Sequence, residues 1–268
     1  MTTLNIAVAG SSGRMGRILI ETVLREPDTR LAAALEQPGN ANIGKDAGEL
    51  VGSACGVRIT DDIQTALRGC DVLIDFTRPD GTLTHLEACR KLAVKLVIGT
   101  TGFTDDGKKA IADAARGLAI AMAPNFSIGV NVMFKLLDVA AKALSSGYDV
   151  EILEAHHRHK VDAPSGTALR MGEIVAQALG RDLKQAAIFG REGVTGERKD
   201  DTIGFATVRG GDLVGDHTVM FIGAGERVEV THRASSRANY ATGALRAARF
   251  IMGKQSGLFD MHDVLGLK

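Results

Sequence analysis

The N-terminal stretch constrains the fold most, because it joins a short apolar run to a glycine-rich turn and then to a helical pattern. The run is Leu4 to Ala9, and the turn reads Gly10-Ser-Ser-Gly13-Arg-Met-Gly16. Apolar residues from Ile18 to Leu24 follow at helical spacing. A second apolar run, Arg30 to Leu35, completes a strand-helix-strand unit whose parallel strands need a right-handed crossover. The chain therefore begins as an α/β domain.

The same alternation continues along the first half of the chain. Strand patterns are followed by helical patterns in this order: Asp71 to Phe76, Thr82 to Leu92, Lys95 to Ile98, Asp105 to Ala115 and Leu118 to Ala123. Alternation of this kind predicts a doubly wound parallel sheet with helices on both faces. The stretch Gly39 to Asp62 has little periodicity, and we expect an irregular connection there.

The pattern changes after Asn125-Phe-Ser127. The following predicted elements are a helix at Ile128 to Leu144, a strand at Val150 to Ala155, a helix at Ala168 to Leu179, and strands at Ile203 to Arg209, His217 to Ile222 and Arg227 to His232. Gly210-Gly-Asp212 and Gly223-Ala-Gly225 connect the last three strands and suit hairpins. These features predict a second, α+β domain with a mixed or antiparallel sheet, largely antiparallel.

Two domains are expected from these patterns. Residues 1–127 form a dinucleotide-binding domain, to which residues 238–268 return with a helix at about Tyr240 to Met252. Residues 128–237 form a substrate-binding and oligomerisation domain. Hinges are expected near residues 127 and 237, where the domains would close over both ligands and exclude water.

Charge balance and composition exclude several classes of protein. Lys plus Arg and Asp plus Glu both total 32, so no general field favours nucleic acid or a membrane surface as the partner. No apolar stretch approaches membrane-spanning length, and Cys55, Cys70 and Cys89 form no CxxC pattern. We therefore expect a cytoplasmic protein with reduced thiols and with no nucleic-acid or membrane partner.

The glycine turn is a candidate dinucleotide site. Its three glycines, at spacing Gly10-x-x-Gly13-x-x-Gly16, allow backbone N–H groups to approach a pyrophosphate closely. Glu36 ends the second strand twenty positions after Gly16, where an acid can accept hydrogen bonds from a ribose. Gln37 stands where NADP-selective enzymes often place arginine, although Arg14 offers another cation. NADH and NADPH both remain open, and the alternative is a tight turn beside an unrelated glutamate.

Two further polar stretches lie at the carboxyl ends of predicted strands, where open α/β sheets bind ligands. They read Phe76-Thr-Arg-Pro79 and Gly99-Thr-Thr-Gly102. Either stretch alone is compatible with an ordinary loop. Their repetition along one sheet edge favours a cofactor site.

The stretch from Glu154 to Thr167 reads Glu-Ala-His-His-Arg-His-Lys-Val-Asp-Ala-Pro-Ser-Gly-Thr. Three histidines, an arginine and a lysine in five positions predict an anion site, which the N–H groups of the following helix start would join. The histidines complete no metal-ligand spacing, so no metal is expected. A solvated structural cluster is a second interpretation. The third is proton donation to a carbon beside the point of hydride addition.

This stretch resembles the 4-hydroxy-tetrahydrodipicolinate reductase (dihydrodipicolinate reductase) family of bacterial lysine and diaminopimelate biosynthesis. Further resemblance covers nearly the whole chain, at Gly13-Arg-Met-Gly16, Ile74-Asp-Phe-Thr-Arg-Pro79, Val97-Ile-Gly-Thr-Thr-Gly102, Asn125-Phe-Ser127, Thr202-Ile-Gly-Phe-Ala206 and Gly257-Leu-Phe-Asp260. The resemblance implies an oxidoreductase with a Rossmann-like first domain. It would use NADH or NADPH to reduce 4-hydroxy-tetrahydrodipicolinate, a small dicarboxylate, by way of dihydrodipicolinate to tetrahydrodipicolinate.

The resemblance also implies roles for individual residues. His156 and Lys160 would be catalytic, His156 as proton donor or acceptor and Lys160 as the proton donor. His157, Gly166 and Thr167 would bind the substrate. The implied cofactor-binding residues are Gly10, Ser11, Ser12, Gly13, Arg14, Met15, Glu36, Gly99, Thr100, Thr101, Ala123, Pro124, Asn125 and Phe126. Arg237 is a weaker candidate for a substrate or interdomain contact.

Other implications and alternatives remain at this point. Family members are typically homotetramers built through the second domain's sheet, and Gln37 departs from the arginine that many members carry there. Arg158 and His159 have no assigned role and are expected to face away on a strand, while His85, His217, His232 and His262 are treated as structural. The alternatives are a nucleotide sensor, a metal-dependent hydrolase and an amino-acid dehydrogenase of the same two-domain type.

Overall fold

The computed structural model describes residues 3–268, which form two compact units. The first unit contains the residues up to Ile128 together with Arg237–Lys268, and the second contains Gly129–Ser236. Among the helices of residues 3–268, none combines the length and the hydropathy needed to cross a membrane.

The elements are numbered in chain order. The first part of the first unit contains β1 (Leu4–Ala9), α1 (Arg14–Arg25), β2 (Thr29–Leu35), a 3₁₀ turn (Glu49–Val51), β3 (Ile59–Thr60), α2 (Ile63–Ala66), β4 (Val72–Asp75), α3 (Pro79–Leu92), β5 (Lys95–Ile98), α4 (Asp105–Ala115) and β6 (Ala119–Met122). There follow α5 (Ile128–Ala143), β7 (Asp149–His156), α6 (Gly166–Ala178), α7 (Leu183–Ala186), β8 (Ala187–Phe189), β9 (Ile203–Arg209), β10 (Gly215–Gly223) and β11 (Glu226–Ala234). The chain ends with α8 (Ala238–Met252), β12 (Gly257–Phe259) and α9 (Met261–Leu265).

In the described residues, seven strands of the first unit form a parallel sheet in the order β12-β6-β5-β4-β1-β2-β3. Side chains alternate along β1, so Ile6 and Val8 pack in one apolar layer with α1 and α8. Ala7 and Ala9 pack in the opposite layer with α3 and α4. Both faces of the sheet are therefore covered by helices, which confirms the predicted doubly wound fold. The carboxyl ends of all these strands lie at one edge, where such sheets bind ligands.

Helix α8 packs closely within the first unit. A Cβ added at Gly243 would lie 1.7 Å from the carbonyl oxygen of Phe126, so only glycine fits at this contact. At the other end of the helix, Lys95 Nζ donates to the carbonyls of Ile251 and Met252 at 3.0 and 2.8 Å. A cation at this position satisfies carbonyls that have no partner within the helix. Strand β12, which follows, was not predicted, because a three-residue strand shows no measurable alternation.

The second unit contains a mixed sheet. Five strands of its described residues lie in the order β11-β10-β7-β9-β8, with antiparallel pairing of β10 to β11 and to β7. Strand β9 is parallel to both β7 and β8. The predicted mixed sheet and the hairpin between β10 and β11 are confirmed, but the hairpin predicted at Gly210-Gly-Asp212 is wrong. The reason is that β7 lies between β9 and β10, so the connection must cross the end of β7.

Two helices begin earlier than the sequence pattern indicated. Helix α3 begins at Pro79 instead of Thr82, because proline fits the first helical position, where its missing N–H is not needed. Helix α6 begins at Gly166 instead of Ala168, because Ser165 caps it by accepting a hydrogen bond from the Ala168 N–H at 3.2 Å. Gly166 and Thr167 therefore belong to the first turn of α6.

Candidate active site

The basic motif lies at the end of β7 and in the loop that leads to α6. Glu154 and His156 are two residues apart on β7, so their side chains point to the same, buried face of the sheet. Arg158 and His159 are exposed in the turn beyond the strand, so the expectation that they lie on a strand was wrong. The motif therefore has a buried part and a solvent-facing part.

The carboxylate of Glu154 is the buried centre of this part of the second unit. The residue is 1% exposed and accepts a hydrogen bond from the His156 ring Nδ1 at 2.6 Å and from the Ser165 backbone N–H at 3.0 Å. Two guanidinium nitrogens of Arg209, on β9, donate to it at 2.7 and 2.8 Å. Thr207 Oγ1 donates a longer bond of 3.3 Å. All of these neighbours are hydrogen-bond donors toward the carboxylate.

Glu154 remains ionised in spite of its depth. Burial raises the pKa of this carboxyl group, but hydrogen bonds from Arg209, His156 and the Ser165 N–H more than offset burial and hold the pKa at about 2. The group is therefore a carboxylate at neutral pH. A buried anion of this kind is stable only while its donors stay in place.

His156 is 8% exposed and is held between Glu154 and two further neighbours. The His156 and His217 rings pack in a T-shaped arrangement, with centroids 5.1 Å apart and an interplanar angle of 77°. A Cβ added at Gly215 would lie 2.9 Å from His156 Nε2, so the absence of a side chain at Gly215 leaves room for this end of the ring.

His217, expected to be merely structural, is part of the same cluster. Its Nε2 lies 3.0 Å from Ser165 Oγ, at the start of α6. Burial, followed by the proximity of His156, lowers the pKa of His217 to about 4, so its imidazole is neutral at pH 7. The sequence carried a signal for this placement, because His217 alternates with Val219 and Phe221 on the buried face of β10.

Lys160 is held by Asp162, for which the sequence predicted no role. Its Nζ donates to both carboxylate oxygens of Asp162, at 2.7 and 2.8 Å. The Lys160 side chain is 20% exposed and that of Asp162 is 55% exposed, so the pair lies at the solvent boundary. Arg209 also donates to the Asp162 backbone carbonyl at 2.6 Å, which joins this loop to the Glu154 cluster.

The first turn of α6 is the remaining part of the predicted substrate site. Gly166 is exposed and Thr167 is half-buried at this helix start. The first N–H groups of a helix have no partner within it and carry partial positive charge. Together with Lys160 in the preceding loop, the turn offers donors of the kind that bind a carboxylate.

The glycine turn of the first unit has the backbone arrangement expected for a pyrophosphate. Gly10 has φ of 65°, and a Cβ added at Gly16 would lie 2.1 Å from the Gly10 carbonyl oxygen, so the helix start packs directly on the turn. The hydroxyls of Ser11 and Ser12 are buried without a hydrogen-bond partner. Orphaned donors beside a helix start fit an anionic ligand, so these residues suit a dinucleotide.

Glu36 is attached to the same turn. One carboxylate oxygen accepts the Ser12 N–H at 3.0 Å, and the other accepts the Gln37 N–H at 2.9 Å. The carboxylate predicted to contact a ribose is thus held by two backbone donors, and it keeps lone pairs for further donors. Gln37 and Arg14 are both exposed beside it.

Asp75, which the sequence reading gave no role, organises the strand-end loops of the first unit. This fully buried carboxylate accepts hydrogen bonds from the Thr77 N–H and Oγ1 at 2.9 and 2.6 Å, and His85 Nδ1 lies 2.7 Å from its other oxygen. Thr100 Oγ1 in turn accepts from the Thr77 N–H at 3.0 Å and the Thr82 Oγ1 at 2.8 Å. The two loops are therefore tied together.

The other predicted cofactor residues lie along the same edge of the sheet. A Cβ added at Gly99 would lie 2.2 Å from the Phe76 ring, whose centroid is 5.5 Å from that of Phe126. A cavity of about 310 Å³ is lined by Thr100, Thr101, Gly102, Phe103, Lys108, Met122 and Pro124. Ala123 and Asn125 lie in the segment that follows β6. The predicted residues thus lie at the carboxyl ends of β1, β2, β5 and β6.

No cluster of three or more His, Cys, Asp or Glu side chains within residues 3–268 could hold a metal ion. Arg237 is half-buried at the residue before α8, and its predicted contact with substrate or between domains stays a prediction.

Comparison with known sequences decides the family. Residues 4–126 match the family model described as dihydrodipicolinate reductase, N-terminus, and residues 129–265 match dihydrodipicolinate reductase, C-terminus. The chain belongs to the dihydrodipicolinate reductase family. The 4-hydroxy-tetrahydrodipicolinate reductases of Nitrosomonas europaea and Nitrosospira multiformis are each 65% identical to it over 268 residues. This alignment covers the full length of this chain and of each relative.

A solved family member has the same fold. The dipicolinate-bound dihydrodipicolinate reductase from Paenisporosarcina sp. TG-14 is 26% identical, with a TM-score of 0.78 over 97% of this chain and 98% of that one. The reductase assignment makes this chain an NAD(P)H-dependent oxidoreductase of lysine and diaminopimelate biosynthesis. The nucleotide-sensor, hydrolase and amino-acid dehydrogenase interpretations are set aside.

Proposed function

We propose that the second unit supplies the proton and the substrate contacts for reduction of 4-hydroxy-tetrahydrodipicolinate. His156 and Lys160 deliver the proton, while His157, Gly166 and Thr167 hold the substrate. The observation that carries this proposal is that a buried imidazole, an ammonium and a helix start all lie at the end of β7. A dicarboxylate needs cations and N–H donors of this kind.

The reaction divides between cofactor and chain. Loss of water from the 4-hydroxy ring gives a conjugated dihydropyridine dicarboxylate. The bound NADH or NADPH supplies a hydride to C4 of that ring. The chain must then add one proton at the neighbouring carbon, which completes tetrahydrodipicolinate, and the donor regains its proton from solvent.

His156 suits proton transfer because histidine is the side chain that most readily exchanges a proton near neutral pH. Lys160 combines a mobile ammonium with an exposed partner, Asp162. An ion pair at the solvent boundary contributes little to stability. A substrate carboxylate can therefore replace Asp162 as the partner of the Lys160 ammonium at little cost in free energy. Lys160 would then neutralise the substrate and act as an acid.

In the first unit, Gly10 to Met15 would hold the pyrophosphate of the cofactor and Glu36 its ribose. Gly99 to Thr101 and Ala123 to Phe126 would lie against the rest of the cofactor. The hydroxyls of Ser11 and Ser12 and the fixed carboxylate of Glu36 support this assignment. Gln37 offers no cation for a 2′-phosphate, so we expect NADH to serve as well as NADPH.

The finer statements about partners and location are also proposals. The outer face of the second unit's sheet carries exposed Leu153 and Val208, beside Ala206 on β9. An uncovered sheet face with apolar residues suits self-association, which supports a homotetramer built through this sheet. Cytoplasmic location is proposed from the biosynthetic role and from the absence of a membrane-spanning helix in residues 3–268.

Replacing Lys160 tests the catalytic assignment. Lys160→Ala is expected to lower kcat by about a hundredfold or more, because both an acid and an anion contact are lost. The KM for the cofactor should not change, because its residues lie in the first unit. Lys184→Ala, which removes an exposed lysine at the start of α7, is the matched control and should keep wild-type kcat. A Lys160→Ala enzyme with kcat within about threefold of wild type would reject the role.

A further inference from the structure

Glu154 lies behind the proposed proton donor and has no contact role of its own in the reaction. We infer that Glu154 is the positioning residue of this site: it fixes the proton of His156 on Nδ1 and leaves Nε2 as the nitrogen that exchanges a proton with the substrate. The inference rests on the proposed role of His156. The Glu154 carboxylate acts only through the groups that it holds in place.

Hydrogen-bond valence determines which ring nitrogen carries the proton. An ionised carboxylate accepts hydrogen bonds and cannot donate one, so His156 Nδ1 must be the donor across the 2.6 Å contact. This holds for both the neutral and the protonated ring. Proton exchange is therefore confined to Nε2, the end of the ring that packs over Gly215.

The environment of Glu154 makes the carboxylate difficult to replace. Arg209 donates twice, and the Ser165 N–H and Thr207 Oγ1 donate once each. A neutral amide in the same place has a single acceptor oxygen and an NH₂ group that must face one of these donors or the His156 ring. The imidazole and the Thr207 hydroxyl can change from donor to acceptor, whereas the Ser165 N–H and Arg209 cannot. Thr207 shares its carboxylate oxygen with the Ser165 N–H and one Arg209 nitrogen, so the NH₂ group meets fewer fixed donors on the His156 side.

The same carboxylate also connects the other parts of the site. Through the Ser165 N–H it holds the residue that caps α6, and with it the first turn at Gly166 and Thr167. Through Arg209, which also bonds the Asp162 carbonyl at 2.6 Å, it holds the loop that carries Lys160. One buried anion thus aligns the proton donor, the helix start and the lysine loop.

The charged and titratable groups around the Glu154 and His156 pair come from three strands and one loop. They are Arg209 on β9, His217 on β10, His232 on β11, and the Lys160 and Asp162 pair in the loop after β7. Burial lowers the pKa of both His217 and His232, so these rings are neutral near pH 7. The positive charge of Arg209 is thus the main counterion of Glu154.

Nitrogen NMR of the histidine rings tests the inference directly. In the wild-type protein labelled with ¹⁵N-histidine, the neutral His156 ring should carry its proton on Nδ1; its signals are identified by their loss in His156→Asn. In Glu154→Gln the amide NH₂ should turn toward the ring and move the proton to Nε2. The analogous loss of an orienting carboxylate gives the wrong tautomer in serine proteases.

Kinetics provide the second measurement. Glu154→Gln is expected to lower kcat by about tenfold to a hundredfold or more, as loss of the partner that orients a metal-binding histidine does elsewhere, with the KM for NADH unchanged. Glu173→Gln is the matched control: it removes a carboxylate from an exposed pair with Arg170 on α6 and should keep both the tautomer and kcat. A merely structural role would not invert the tautomer.

Several outcomes would overturn the inference. A wild-type His156 protonated on Nε2 contradicts it outright, and this spectrum decides the matter even if Glu154→Gln does not fold. A folded Glu154→Gln enzyme that keeps the Nδ1 proton also contradicts it, whatever its kcat. If wild-type enzyme oxidises no cofactor, the proposed function fails, but the spectrum still shows whether Glu154 sets the tautomer.

Discussion

At the residue scale, hydrogen-bond partners decide which buried groups of the second unit are charged. Glu154 and His217 are both almost fully buried, at 1% and 4% exposure. Glu154 stays ionised because Arg209 and other donors surround it, whereas His217 has one hydroxyl partner, Ser165, and a buried Nδ1 without a hydrogen bond. Similar burial therefore leaves the Glu154 carboxylate charged and the His217 imidazole neutral.

The neutral state of His217 predicts a pH dependence of stability. Its pKa falls from 6.5 to about 4 on folding, so the unfolded chain binds more protons between these values. Stability from this group is present above pH 6.5 and is lost as the pH falls toward 4. In His217→Gln, the free energy of unfolding should fall less over this window, by on the order of 2 kcal/mol.

Denaturant unfolding at several pH values measures this difference. The quantity compared is the change in the free energy of unfolding with pH, for wild type and for His217→Gln, from pH 6.5 to 4, the window set by the pKa of His217. Parallel slopes would show that His217 titrates alike in both states and would contradict its placement. Loss of stability at lower pH, between about 4.5 and 2, belongs to Glu154 and should be common to both proteins.

Residues of the site differ in how far the sequence predicted them. His156 and Lys160 stand in one short motif, so pattern and family resemblance both identified them. Arg209 lies 55 positions from Glu154, and its contact depends on the parallel pairing of β7 and β9, which no local pattern encodes. Asp162 lay within the motif but received no role, because its pairing with Lys160 depends on the conformation of the loop.

At the element scale, strands were predictable and their pairing was not. Alternation of apolar residues located β9 and β10, but it carries no information on which strand lies between them. The connection between them crosses the end of β7, where the Gly210 N–H donates to the His156 carbonyl at 3.0 Å and the His157 N–H donates to the Leu213 carbonyl at 2.8 Å. The crossing thus helps to hold the basic motif at the end of β7.

The second unit's sheet also carries a prediction about assembly. Leu153 on β7 points to the uncovered face, so Leu153→Arg should disrupt the proposed tetramer without harming the fold of the protomer. Sedimentation velocity should show species smaller than the wild-type assembly. Val139→Arg is the matched control, because Val139 is 56% exposed on α5 and lies off this face. A wild-type protein that sediments as a monomer, or a Leu153→Arg protein with wild-type mass, contradicts the proposal.

At the scale of the whole molecule, the chain forms two units, between which we propose that cofactor and substrate binding are divided. The parallel sheet brings glycine turns and polar strand ends to one edge, which is a property of its topology. That part of the fold followed from periodicity alone, because βαβ alternation is strong and regular. The mixed sheet of the second unit has no such regularity, and family resemblance identified its function more securely than its pattern did.

Reduction of the condensation product of pyruvate and aspartate semialdehyde with a nicotinamide cofactor is the activity expected of this chain. The most direct measurement mixes purified protein with that product and follows the absorbance of NADH and NADPH in separate reactions. Oxidation of both cofactors is predicted, each requiring protein and substrate together, because Glu36 is available to the ribose of NADH and the exposed Arg14 offers a cation for the 2′-phosphate of NADPH. Oxidation of neither cofactor would contradict the account.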